Sequence, residues 1–211
     1  ARAGHRNPHF LDAAWATDVV VGLWAEGLRD RCGPLLFQVP QQHPADLGGP
    51  EAFAARLHGF FSALPPPPPT GRYVLEVRDP SLQTPALAEA LRDTRVLPAL
   101  ILHPRMPDLR VQWHRAQIDA ASPVVLRWMM QRGLDQETAQ ARFSPFSSLQ
   151  APDLQVRDTV ARLCRAMAEA GRSTWVVVSN NAEGCAPCSI NALAQAIVGG
   201  ASPRKTRVPS P

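Results

Sequence analysis

The residues with most chemistry to offer stand where apolar runs end. In RYVLEVRD, Glu76 and Arg78 are two apart, so on an extended chain they leave the same face and Val77 leaves the other. A carboxylate and a guanidinium turned into an interior need partners, because an unpaired buried charge is very costly. Two readings fit them. Either Glu76 is a general acid/base and Arg78 an anion clamp, or the two form an ion pair that fills the interior. Arg127, in VVLRWMM, is placed to bind a phosphate or carboxylate, or to pair with Glu76 from another strand. Gln38 closes the run GPLLFQVP and serves either to orient a substrate hydroxyl or to satisfy loop backbone. His103 follows VLPALIL and precedes Pro104, as a base or as a loop residue. Asn180 and Asn181 precede the last helix-like run, where they bind an anion together with helix amides or simply shape a turn. Glu76 is therefore the candidate catalytic residue. Gln38, Arg78, His103, Arg127, Asn180 and Asn181 are the candidate substrate-binding set.

Other chemistries lack their residues. Lys205 is the only lysine, and it lies near the C-terminus, which argues against Schiff-base and P-loop chemistry. No G-x-S-x-G and no G-x-G-x-x-G occurs. The cysteines are Cys32, Cys164, Cys185 and Cys188, and only the last two are close, as Cys185-Ala186-Pro187-Cys188. This C-x-x-C between a strand-like and a helix-like run has the context of a thioredoxin-type pair, but a thioredoxin sheet needs further strands after that helix. Ordinary reduced thiols in a cytoplasmic protein are the expectation, with thiol redox use as the less favoured alternative. No ligand set with recognisable metal spacing is present, and the residues leave the cofactor unknown.

The formal charge of +4 is concentrated at one end, where Arg204, Lys205 and Arg207 supply three of the positive charges. The remaining body has no footprint for a nucleic-acid backbone. Residues 200–211 read as a disordered basic tail and residues 1–199 as one domain. Hydrophobic residues at 45% and charged residues at 19% suit a folded domain. No apolar run approaches the roughly 20 residues that a membrane helix needs, and no secretory signal opens the sequence.

What must position these side chains is an alternation of strands and helices. GPLLFQVP reads as a buried strand, and Pro50 to Leu64 as a helix with Phe53, Leu57, Phe60, Phe61 and Leu64 on one stripe. Pro65 to Pro69 end that helix as a stiff spacer. Arg72 to Asp79 is the second strand. Thr84 and Pro85 open a helix running to about Asp93. Strands follow at VLPALIL and VVLRWMM, with Met106 to Ser122 ambiguous between them. Asp153 to Ala170 forms a helix with Leu154, Val160, Leu163, Cys164 and Met167 on one face, ended by Gly171. Ser173 to Ser179 is the fifth strand, and Ile190 to Val198 lies in the last helix. Apolar strands separated by helices imply parallel pairing with both faces covered, an α/β fold of doubly wound or barrel type.

Four segments carry a resemblance: Arg6-Asn7 with Phe10-Leu11-Asp12, then GPLLFQVP, then VLEVRD, then NNAEGCAP before a helix. In this order they resemble the YecE-like family, domain of unknown function 72, from about Arg6 to Val198. The resemblance implies a parallel (β/α) barrel of TIM type, whose eight strands carry ligand sites where strands end. The family's opening strands, with their Gly/Trp and Glu-x-Asn-x-x-(Phe/Tyr)-Tyr signatures, are not found. The chain thus looks like strands four to eight of an N-terminally truncated, incomplete barrel. Where the family often shows an arginine followed by His-Gly, this chain has Arg127-Trp128-Met129, so no histidine is carried over. Several functions stay open: an enzyme or binder of a polar anionic ligand (a sugar phosphate or nucleic-acid backbone), a non-catalytic scaffold, or an inactive fragment. Unpaired sheet edges lead to an expectation of self-association.

Overall fold

A computed structural model describes residues 7–40, 44–119 and 121–200. Along the chain come α1 (Ala13–Ala16), α2 (Gly22–Leu28), β1 (Pro34–Val39), α3 (Pro50–Ala63), β2 (Arg72–Val77), α4 (Pro85–Asp93) and β3 (Leu97–Leu102). After them come α5 (Leu109–Arg115), β4 (Val124–Trp128), α6 (Gln136–Phe143), α7 (Leu154–Glu169), β5 (Thr174–Val178), α8 (Asn180–Glu183) and α9 (Ala186–Gly199). A π-helical turn, Thr17–Val21, joins α1 to α2. The basic tail expected from position 200 lies, apart from Gly200, outside the described residues.

All five strands pair in parallel and in chain order, β1-β2-β3-β4-β5, and curl into a half-barrel with helices between them. The α/β class and the parallel pairing expected from the sequence are both present. Helix starts follow their residues. The Thr84 hydroxyl accepts from the Leu87 amide with Pro85 at the first helical position, and the Asp135 and Asp153 carboxylates accept from the Thr138 and Val156 amides. Gly171 follows the α7 C-cap Ala170 at φ +69°, a left-handed conformation that glycine adopts at little cost.

Strand periodicity sorts the side chains. One face of β1 and β2 turns Leu35, Phe37, Val39, Tyr73, Leu75 and Val77 against Phe53, Leu57, Phe60 and Phe61 of α3 and Leu87 and Leu91 of α4. The same face of β3, β4 and β5 packs Leu100, Leu126, Trp128, Val176 and Val178 on Val160 and Met167 of α7 and Leu193 of α9. The opposite, concave face holds a smaller apolar group: Leu36, Val74, Leu97, Ala99, Val125 and Trp175. Val177 on this face of β5 is 48% exposed, so among the described residues the hollow is only partly covered.

Several sequence-based details change. β2 stops at Val77, because Asp79 turns to cap the short 3₁₀ turn Pro80–Leu82 by accepting from the Ser81 amide. The ambiguous stretch after β3 contains α5. Leu154 sits in the first turn of α7, beyond the sheet it was expected to face, and is exposed. Cys185 and Cys188, expected as reduced thiols, form a disulfide, since the turn that opens α9 brings their Cα atoms to 5.3 Å. Among the described residues, no helix is long and apolar enough to cross a membrane.

Candidate functional site

Pro98 shapes the sheet beneath the site. β2 and β3 are matched only at Val74–Leu97 and Leu75–Pro98, and proline has no N–H to continue the ladder. Beyond that point the buried Gln112 of α5 takes over. Its Oε1 accepts from the Ile101 amide at 2.9 Å and its Nε2 donates to the Ile101 carbonyl at 2.7 Å. The carboxyl end of β3 is thus held by a side chain of α5 instead of by β2, which stays paired with β1.

At these ends the concave face turns polar. Gln38 of β1 lies beside Glu76 of β2 in the ladder. Glu76 is fully buried, and each of its oxygens holds a guanidinium. Arg78 Nε donates to Oε1 at 2.5 Å, and Arg127 Nη1 of β4 donates to Oε2 at 2.6 Å. Arg78 Nη2 also donates to Gln38 Oε1 at 2.9 Å, and Arg127 Nη1 reaches the same oxygen at 3.4 Å. Arg127 crosses β3 to reach Glu76, over a face on which Ala99 presents a methyl group and Ile101 stands in register with Arg127. The three charged groups carry a formal +1. Arg78 is 29% and Arg127 19% exposed, so the carboxylate is sealed while both cations still meet solvent.

His103 lies just past the end of β3, half-buried, with Nδ1 accepting from the Arg105 amide at 3.1 Å. Burial lowers its pKa below the ordinary 6.5. The positive charges of Arg78 and Arg105 push the same way, and Glu76 opposes them. His103 therefore shares the electrostatic neighbourhood of the cluster, and its neutral form is favoured.

Asn180 and Asn181 belong to a different construction at the end of β5. The Asn180 Oδ1 accepts from the Ala186 amide at 2.8 Å, anchoring the start of α9. Buried Asn181 donates from Nδ2 to Gln136 Oε1 of α6 at 3.2 Å. Of the seven candidates, Gln38, Glu76, Arg78 and Arg127 form one hydrogen-bonded group with His103 beside it, and the two asparagines hold the α6, α8 and α9 side of the rim.

Sequence reasoning missed Glu183. It is fully buried, and its Oε1 accepts from Arg157 Nη2 of α7 and from the Asp153 amide, both at 2.7 Å. Its backbone carbonyl accepts from the Gln150 and Ala151 amides. Gly184, at φ +105°, follows it, and a Cβ there would stand 2.9 Å from the Ser148 carbonyl oxygen. The only signal was an acid in the apolar loop NNAEGCAP. Among the described residues no cluster of three or more His, Cys, Asp or Glu side chains is placed to hold a metal ion.

The model of the family described as "Protein of unknown function DUF72" matches residues 9–210. No curated protein and no solved structure matches the chain. The match spans nearly the whole length, and the chain belongs to the DUF72 family.

Proposed function

We propose that this DUF72 chain binds a small anionic ligand, of the phosphate-ester or carboxylate kind, where its strands end. The observation that carries this reading is the pairing of two partly exposed guanidiniums on one sealed carboxylate. Glu76 fixes both arginines in advance, so an arriving anion meets donors already in place. The excess positive charge and the donors that Glu76 leaves unused favour a group with several acceptor oxygens, such as a sugar phosphate. Gln38 tethers Arg78 on one side. With both oxygens engaged, Glu76 acts on this reading as the brace of the clamp, and a proton-transfer role would require ligand binding to displace one guanidinium. We read the half-barrel as five consecutive strands of a TIM-type barrel, the fourth to the eighth, a reading supported by their order and by the polar rim at their carboxyl ends. Neutral His103 borders the proposed binding face, while Asn180 and Asn181 serve it only by bracing the α6, α8 and α9 side of the rim.

Arg127→Ala is the direct test. Titration calorimetry with inorganic phosphate and with glucose 6-phosphate should show binding to the unaltered chain and about tenfold or greater weakening in the variant, the usual size for a charge-assisted hydrogen bond. Absence of binding to the unaltered chain, or equal affinity in a folded variant, would overturn the reading.

A further inference from the structure

The bond between Cys185 and Cys188 stands apart from the arginine clamp and has the makings of a reactive centre. α9 is 14 residues long, with Cys185 as its N-cap, Ala186 and Pro187 as its first two positions and Cys188 as the third. The two sulfurs are unequal. Cys185 is 4% exposed, whereas Cys188 is half-buried and follows the exposed Pro187. An outside reagent therefore meets Cys188 first.

The amides of the first turn are already distributed. Asn180 Oδ1 takes the Ala186 amide, Pro187 has none, and the Ser189 amide goes to the Cys185 carbonyl at 2.9 Å. The Cys188 amide points at Cys185 Sγ, 3.3 Å away. A negative charge on Cys185 sulfur would gain that N–H and the positive end of a four-turn helix. Cys185 is thus the better leaving group and Cys188 the better target. The loop before them is anchored, because Glu183 is tied to Arg157 and to the amides of Asp153, Gln150 and Ala151.

We propose that Cys185–Cys188 is a thiol–disulfide exchange site for external thiols and disulfides of the glutathione or dithiol class, with Cys188 forming the mixed disulfide. In the reducing direction an external thiolate attacks Cys188 Sγ, and the S–S electron pair departs with Cys185 as a thiolate. A second external thiolate then attacks the external sulfur of the mixed disulfide and releases Cys188. Two external thiols become one disulfide, and the protein gains two electrons and, once its thiolates are protonated, two protons. In reverse, a reduced pair is reoxidised by an external disulfide. The site occupies a half-barrel of parallel strands, so the exchange chemistry rests on the helix turn itself and not on a thioredoxin sheet.

The test uses the full chain, with Cys32 and Cys164 as internal references. Cys32 is buried and donates to the Trp24 carbonyl, and burial raises the pKa of the Cys164 thiol. After incubation with reduced glutathione under native conditions, alkylation and peptide mass mapping should show Cys185 and Cys188 opened while Cys32 stays unlabelled. With oxidised glutathione, Cys185→Ser should trap an adduct on Cys188 at least about tenfold faster than Cys188→Ser traps one on Cys185. A pair that opens only at the denaturant concentration where Cys32 becomes labelled would be a structural bond and would overturn the proposal. So would the reverse order of adduct formation. Should either variant fail to fold, the native reduction of the unaltered chain decides alone.

Discussion

Glu76 is the residue on which the candidate site balances. Replacing it with glutamine removes the negative charge from between two arginines but keeps the shape, so Arg78 and Arg127 are left to repel each other against a neutral amide. Breaking a buried ion pair by removing one partner costs about 3–5 kcal/mol, and the partial exposure of both arginines places this case at the lower end, about 3 kcal/mol. Thermal and urea unfolding of Glu76→Gln should show that loss, and a change within error would mean that the carboxylate is not holding the arginines. Much of this was legible before any coordinates. The i,i+2 spacing puts Glu76 and Arg78 on one face, and the position of Arg127 in its strand makes it a partner for Glu76 or for an anion. What the spacing does not contain is the sharing of one carboxylate by two guanidiniums across a third strand. That depends on how the parallel strands align and curl, which are relations between distant segments. Asn180 and Asn181 illustrate the opposite case. Their position before a helix is right for an anion, yet their side chains are spent on the Ala186 amide and on Gln136.

At the level of elements, boundaries were readable where local chemistry marks them and obscure where tertiary packing makes them. Thr84-Pro85 opens α4, and the α3 stripe of Phe53, Leu57, Phe60 and Phe61 packs as its spacing requires. α6 escaped because it buries only Ala139 and Phe143, too few for a periodic signal, although Asp135 caps it. The first helices escaped because the π-helical turn Thr17–Val21 shifts the phase of any helical repeat. The turn between α8 and α9 offers a sharp test of how tightly the rim is built. Gly184 has a positive φ and no room for a Cβ against the Ser148 carbonyl and the Gln150 amide. Gly184→Ala should destabilise the chain by about 2–3 kcal/mol through backbone strain and displacement of the 148–151 loop. Calorimetry should record a lowered Tm, and hydrogen exchange should show the Gln150 and Ala151 amides losing protection first. An unchanged Tm would mean that the loop yields easily.

For the molecule as a whole, the decisive property is a sheet with two outer strands. Among the described residues, β1 and β5 each have one strand neighbour, and the concave face beside β5 exposes Val177. Unpaired edges next to apolar surface invite pairing between copies. Sedimentation velocity should show association of the unaltered chain that rises with concentration, and Val177→Lys should reduce it by setting a charge beside the edge. A monomer at every concentration in the unaltered chain would refute this. The order of the strands also bears on how the chain reaches its native state. Every strand from β2 onward finds its first neighbour in the segment made just before it, so the sheet can lengthen from one end as each new βα unit arrives, without waiting for a distant segment. Such a chain is suited to acquiring structure step by step as it emerges from the ribosome, earlier strands serving as the template for later ones.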